Sequence, residues 1–201
     1  MRLSIILGHP NPQSFNHALA DEVRGQLLKM GHSIFFHDLY REGFDPVIPA
    51  GEEGRGASLP PLVRQHCDEI GQAEGIVIIH PNWWGQPPAM LKGWVDRVLR
   101  PGTAYEFLDG DSGEGVPKGL LKTKAALVLN TSNTPMERER EAFGDPLENL
   151  WKRCIFEFCG VPKFYRRVFN VVVTSRPEER RQWLAEAAQL STEVFPFQLE
   201  V

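Results

Sequence analysis

Short apolar runs alternate along this chain with longer segments whose apolar positions recur at helical spacing. Residues 2–8 open the pattern as an apolar strand. Phe15, Leu19, Val23 and Leu27 then fall on one face of a helix over 15–30, with Ser14 placed to cap its start and Gly31 to stop it. A second strand covers 32–38 through Ser33, Ile34, Phe35 and Phe36. A Gly/Pro-rich loop runs from Tyr40 to about Leu59, and a helix follows from about Pro61 to Ala73. The run Gly75-Ile76-Val77-Ile78-Ile79-His80 is apolar on both alternating faces, as in a strand buried on both sides. Pro88 opens the next helix at 88–99, in a first turn where the missing N–H costs nothing.

From Arg100 to Lys122 the chain is Gly-rich, with one short extended piece around Tyr105–Leu108. A fourth strand at 124–130 (Ala125-Ala126-Leu127-Val128-Leu129) leads into a polar loop. Asp145-Pro146-Leu147-Glu148-Asn149 reads as a helix start: Asp145 can cap, Pro146 suits the first turn, and Glu148 sits at the positive end of the dipole. That helix is expected to end at Gly160, with Pro162 beyond it. Phe164–Val173 forms a fifth strand and residues 177–195 a last helix. Five strands joined by helical crossovers predict an α/β fold, a doubly wound five-stranded parallel sheet with helices on both faces. The pattern fits one domain over residues 1–201, without repeats or low-complexity tracts.

With 201 residues, 42% of them hydrophobic, the chain can bury a sizeable core. A net charge of −4 leaves no electrostatic footprint for nucleic acid or an anionic membrane. The alternating run Glu137-Arg138-Glu139-Arg140-Glu141 reads as a solvated turn. No apolar run approaches bilayer length, and the N-terminal one is too short for a secretion signal, so the expected location is cytoplasmic and the protein is not membrane-embedded. Cys67, Cys154 and Cys159 form neither a CxxC pair nor a zinc spacing, so no metal is expected. Cys154 and Cys159 fall beside Ile155, Phe156 and Phe158 and read as buried small hydrophobes.

The loop after the first strand has neither a dinucleotide-binding glycine fingerprint nor a P-loop. It offers His9, Gln13, Ser14 and Asn16 where a helix begins. Such a cluster can bind phosphate, and equally Ser14 can simply cap the helix with His9 a loop residue. The loop Pro81-Asn82-Trp83-Trp84-Gly85 tips the balance, because it follows a buried strand at its carboxyl end, where open α/β sheets bind ligands. Two adjacent tryptophans there offer a platform for a flat aromatic ligand. Asn130-Thr131-Ser132-Asn133-Thr134 closes the fourth strand with small polar side chains that allow close approach, although an ordinary polar loop fits nearly as well. Lys92 and Trp94, one snorkelling and one packed, read as structural.

The segment from Pro81 to Arg97, with its Pro-Ala and Leu-Lys-Gly-Trp elements, resembles the flavodoxin-like NAD(P)H:quinone oxidoreductase family. Ile5–Asn16, Gly102–Phe107 and, more weakly, Leu129–Thr134 follow in the same order as in that family. The resemblance implies a tightly held flavin. His9, Gln13, Ser14, Phe15 and Asn16 would line its phosphate and ribityl chain, Pro81, Asn82, Trp83, Trp84 and Gly85 its ring, and Thr131, Ser132 and Asn133 the ring edge. Backbone N–H groups of the tryptophan loop would meet O4, N5 and O2. Tyr105 and Phe107 match an element that roofs the substrate pocket of the partner in a homodimer. The implied reaction takes a hydride from NADH or NADPH and passes it through the flavin to a quinone or related aromatic acceptor, with ping-pong kinetics. Compact length favours FMN, with FAD the second choice. The family's Tyr and His relay is not carried over, because residues 135–150 contain neither, and no catalytic residue is assigned. Two rivals stand: a flavodoxin-type carrier, for which −4 is a mild charge, and a flavin-binding regulatory subunit of a membrane ion-efflux system.

Overall fold

Three neighbouring strands form the centre of the molecule because nearly every side chain along them can be buried. The computed structural model describes residues 1–54, 56–108, 110 and 114–197. In it β1 (Arg2–Leu7), β3 (Gly75–Pro81) and β6 (Ala125–Ser132) run parallel and in contact, flanked by β2 (Ser33–Asp38) and β7 (Phe164–Asn170). The sheet order is β2-β1-β3-β6-β7. Ile6 lies opposite Ile78, and Ile78 opposite Val128, so the apolar rows stay in register across the sheet.

Alternate side chains feed two cores. Leu3, Ile5, Leu7, Val77, Ile79, Leu127 and Leu129 pack against α1 (Phe15–Lys29) and α6 (Pro177–Val194). Ile6, Ile76, Ile78 and Val128 face α2 (Pro61–Gln72), α3 (Ala89–Val98) and α5 (Pro146–Asn149) with its continuation. Each such side chain contributes roughly 1.5–3 kcal/mol through burial. The chain leaves β1 toward β2 and returns across it to β3. The loops after β1 and β3 therefore diverge and open a crevice at the carboxyl edge of the sheet.

Four expectations need correction. The charged run expected as a solvated turn is a helix, α4 (Met136–Phe143), and Glu139 within it is 3% exposed. Asp145 does not cap α5: it sits at φ 47° and gives its carboxylate to Arg166 Nη1, at 2.9 and 2.8 Å. The helix it was expected to start is α-helical only over Pro146–Asn149 and continues with wider π-type bonding over Leu150–Glu157. Cys154 is exposed, since its position on that helix faces outward, whereas Cys159 is buried and burial pushes its thiol up to about 11.

In the long connections, the extended piece at Tyr105 is a two-residue strand, β4 (Tyr105–Glu106), paired antiparallel with β5 (Lys118–Gly119). Positions 109 and 111–113 of that Gly-rich stretch, and 198–201, lie outside the described residues. The loop expected over 40–59 is fixed from inside. Arg97 of α3 holds Glu52 through two bonds of 2.9 and 2.6 Å and the Asp45 carbonyl through a third, while Arg100 binds the Glu52 and Gly54 carbonyls. Gly93 lets α3 approach that loop, because a Cβ there would lie 2.2 Å from the Pro46 carbonyl oxygen.

Candidate active site

Five chain segments meet above the carboxyl ends of β1, β3, β6 and β7 and enclose a cavity of about 570 Å³, within the usual range for small-molecule sites. His9, Ser14, Phe15 and Asn16 line it from the β1 loop, Pro81 to Gly85 from the β3 loop, and Thr131 to Thr134 from the β6 end. Arg138, Glu139, Phe143 and Pro146 form the wall beyond them, with Val172 from the segment after β7.

The three strand ends are tied to one another. Asn16 donates through Nδ2 to Thr131 Oγ1 (2.9 Å), and the Asn82 amide donates to the Thr131 carbonyl (2.7 Å). Beneath them lies His80, fully buried, and burial pulls its pKa down to about 3 so that the ring stays neutral. Trp151 Nε1–H donates to His80 Nε2 (2.9 Å), and Asn130 Nδ2 also lies 2.8 Å from it. The proton is therefore on Nδ1, which donates to the Pro81 carbonyl at 2.8 Å and fixes the root of the tryptophan loop.

At the start of α1, Ser14 is the N-cap, its hydroxyl taking the His17 amide at 3.3 Å. The amides of Phe15 and Asn16, in the first turn, have no helical carbonyl ahead of them and remain available as donors at the positive end of the dipole. Asn16 is 3% exposed and its Oδ1 has no partner within the protein. A buried acceptor without a donor, on a side chain that lines the cavity, fits a ligand carrying hydroxyl groups. His9 accepts the Asn11 amide at Nδ1 (3.1 Å). Burial holds His9 below its ordinary pKa, opposed by that hydrogen bond and reinforced by the repulsion that a charge on each of His9 and His17 would bring.

The tryptophan loop is a two-residue turn closed by reciprocal backbone bonds between Trp83 and Gln86, at 3.1 and 3.0 Å. Both central residues take positive φ, Trp84 at 58° and Gly85 at 70°, as the tight primed hairpin turn requires. Asn82 Oδ1 holds the Gly85 amide at 2.9 Å, and Asn82 Nδ2 reaches Glu139 Oε1 at 3.0 Å. The amides of Trp83, Gly85 and Gln86 are thus all spent inside the turn. Trp84 N–H is the loop donor left for a ligand, where several were expected. Trp84 is fully exposed and Trp83 is 42% exposed, which is costly for such side chains unless something flat covers them.

A flat ring bearing a hydroxylated chain and a phosphate finds a platform, a ring-edge donor, a buried acceptor and an anion-binding helix start within this one cavity. The structure brings together all the expected cofactor contacts except Gln13, which is exposed and outside the lining. Tyr105 and Phe107 lie elsewhere, half-buried and edge to face at 5.8 Å, with Tyr105 also 4.9 Å from Phe158. The sequence reading carried Thr134 only as part of its polar loop and gave no site role to Arg138, Glu139, Phe143, Pro146 and Val172. Glu139 and Phe143 stand one turn apart on α4, so reading 136–143 as a helix would have placed them on one face.

Two other features draw attention. A larger, more polar cleft of about 850 Å³ lies behind α4, but Arg166 in its wall is already held by Asp145 and Glu148. His37, Glu42 and His66 offer ligand atoms within 4.8 Å of one another. There Trp94 Nε1–H donates to His66 Nδ1 (2.9 Å), so the proton of neutral His66 sits on Nε2, the nitrogen that faces Glu42 at 3.2 Å. His37 is bonded to a carboxylate at each nitrogen, Glu42 at 3.0 Å and Glu69 at 2.6 Å. The cluster is an ion-pair network under α2 in which both His37 nitrogens are bonded, while His66 Nε2 faces Glu42 without a hydrogen bond.

Comparison with known proteins places this geometry among relatives. The family described as having a flavodoxin-like fold matches residues 1–192. The chain is 32% identical over 190 residues to a Haemophilus influenzae protein named as an uncharacterized NAD(P)H oxidoreductase, covering 92% of this chain and 91% of that one. It is 29% identical over 210 residues to mouse ribosyldihydronicotinamide dehydrogenase [quinone], covering 94% and 89%. Among solved structures, an FMN-dependent NADH-azoreductase from Bacillus anthracis, in complex with FMN, superposes with a TM-score of 0.76 at 16% identity, over 96% of this chain and 99% of that one.

Proposed function

The chain belongs to the flavodoxin-like family of NAD(P)H:quinone oxidoreductases, and from that premise we propose that its cavity holds FMN and serves a nicotinamide donor and a quinone-like acceptor in turn. The observation that carries the proposal is the pairing, in one cavity, of the Trp83–Trp84 turn and its free Trp84 amide with the anion-binding start of α1. The FMN named in the solved azoreductase complex supports the choice of cofactor, and the quinone named for the mouse relative supports the acceptor class.

Ser14 Oγ and the amides of Phe15 and Asn16 would hold the phosphate, and Asn16 Oδ1 would accept from the ribityl chain. Trp83 and Trp84 would cover the ring and exclude water from it, with Trp84 N–H as the donor at its edge. Bound there, flavin supplies reversible hydride chemistry, which is the cofactor's own. The protein's part is proximity: one cavity of about 570 Å³ exposes one platform, on which donor and acceptor must alternate. A homodimer would bring Tyr105 and Phe107 of the partner subunit over that platform. Leu108, Val116 and Phe158, at 63, 89 and 38% exposure, supply apolar surface near the hairpin for such a contact.

Initial-rate kinetics with varied NADPH and varied benzoquinone test this reading. Parallel double-reciprocal lines are expected from alternate use of one site. Intersecting lines, from a complex holding both substrates, would contradict it.

A further inference from the structure

Directly behind Ser14, outside the cavity lining, stands His17. His17 follows the N-cap Ser14 by three positions, the spacing that sets side chains on one helical face. His17 Nδ1 lies 2.8 Å from Ser14 Oγ, and His17 Nε2 lies 3.1 Å from Asp38 Oδ2. The His17 and Asp38 side chains are largely buried, at 15% and 11% exposure. Asp38 ends β2, and its other oxygen takes the Arg41 amide at 3.2 Å, which fixes the carboxylate. A carboxylate only accepts, so Nε2 carries a hydrogen in either protonation state of the ring.

The state of Nδ1 then decides what Ser14 presents to the cavity. With Nδ1 bare, the Ser14 hydroxyl hydrogen is spent on His17 and only lone pairs face an incoming anion. With Nδ1 protonated, Ser14 Oγ accepts from Nδ1–H and from the His17 amide. Its own O–H is then free to donate into the cavity, and every hydrogen-bonding position of the hydroxyl is used.

We propose that His17 is a positioning residue that takes up one proton from solvent when a phosphate-bearing cofactor binds, turning the Ser14 hydroxyl toward the phosphate while Asp38 balances the charge. One proton leaves a solvent hydronium and forms the Nδ1–H bond; no bond between heavy atoms changes. The inference rests on the flavin reading above, and it adds a pH dependence of cofactor retention that the reading alone does not require. His9 is the competing basic group, edge-on to His17 with ring centroids 6.2 Å apart. It faces the site from the β1 loop as Asp38 does from β2, and a charge on it would oppose a charge on His17. Asp21, one turn along α1, is exposed.

The test is calorimetric titration of the full-length protein, stripped of flavin, with FMN, FAD and riboflavin between pH 6.5 and 8.5. Above pH 6.5 the FMN phosphate is mostly dianionic, so its own ionisation contributes little. Buffers of different ionisation enthalpy report the protons taken up. FMN should bind with net uptake of up to one proton, and its affinity should fall as pH rises, by no more than about tenfold per pH unit. Riboflavin, lacking the phosphate, should bind without uptake. His17→Asn should weaken FMN binding and abolish both the uptake and the pH slope, while His9→Asn should keep them. FMN binding that is flat with pH and takes up no proton in the unaltered protein overturns the inference and leaves the flavin reading standing. A slope retained in His17→Asn overturns it as well. Failure of all three flavins to bind at any pH overturns the flavin reading, and the inference with it.

Discussion

Asn82 and Glu139, 57 residues apart in the chain, are joined by a 3.0 Å hydrogen bond that fastens the tryptophan turn to α4. The same asparagine holds the Gly85 amide, so one side chain fixes the turn to the wall and the turn to itself. Asn82→Ala should release both and leave a buried carboxylate unsatisfied, at a cost of about 1–3 kcal/mol. Flavin affinity, read by fluorescence quenching, should fall by about ten- to a hundredfold. Glu139→Gln keeps an acceptor in place and should stay within a few-fold of the unaltered protein. Equal effects of the two substitutions would show that the Asn82–Glu139 bond does not govern the turn.

Gly85→Ala should damage the same turn by another route. The residue sits at φ 70°, and an added Cβ would lie 2.7 Å from Pro146 Cγ. Strain and overpacking together should cost about 1–3 kcal/mol, lowering the melting temperature and loosening the cofactor. An alanine variant with unchanged melting and flavin affinity would show that the loop relaxes freely away from Pro146.

Arg97 and Glu52 test the second layer. Their side chains are 2% and 3% exposed and share two short bonds, so removing one partner strands a buried charge. Glu52→Leu should lose roughly 3–5 kcal/mol. In a domain of this size that is a fall of about 6–20 °C in melting temperature, measurable by calorimetry. Lys92→Ala, which removes an exposed pair with Asp96, should change stability by about 1 kcal/mol or less and serves as the contrast.

The sheet and its order of helices were legible because β1, β3 and β6 are buried on both faces and so carry unbroken apolar runs. The tryptophan turn was legible for the opposite reason, since Trp84 is too large and too exposed to be idle. Glu139 and the Arg97–Glu52 pair were not legible. Charged residues read as surface in any pattern of polarity, and only the tertiary partner shows that these are buried. Asp145 misled for a related reason: its spacing suits a cap, but Arg166, 21 residues on, competes for the carboxylate and wins it. Tyr105 and Phe107 are placed away from the cavity in a single chain, and a resemblance alone carries their assignment to a partner's pocket.

The cluster under α2 predicts how stability follows pH. Burial works against the charge on His37, but Glu42 and Glu69 outweigh it and raise its pKa above 6.5. Its contribution is therefore complete below 6.5 and is lost as pH rises through the folded value. Burial works against the charge on Glu42 too, yet His37 and His66 beside it bring it down to about 2. That contribution is complete above 4.5 and is lost as pH falls toward 2. His80, held near 3 by burial, costs stability below 6.5 where the unfolded ring takes up a proton, so melting temperature should rise toward neutrality and decline above it, and His37→Gln should flatten the alkaline limb. A melting temperature that climbs steadily from pH 6 to pH 9 would contradict this assignment.

The central claim, that the cavity between the tryptophan turn and the start of α1 holds a flavin cycling between a nicotinamide and a quinone, is tested most directly by the visible spectrum of the purified protein. The spectrum is recorded under argon before and after NADPH or NADH, and again after benzoquinone. The account predicts a yellow protein, or one made yellow by added FMN, that bleaches with at least one nucleotide and recovers its colour with the quinone. A protein that stays colourless with FMN and FAD, or one that bleaches with dithionite and with neither nucleotide, would contradict it.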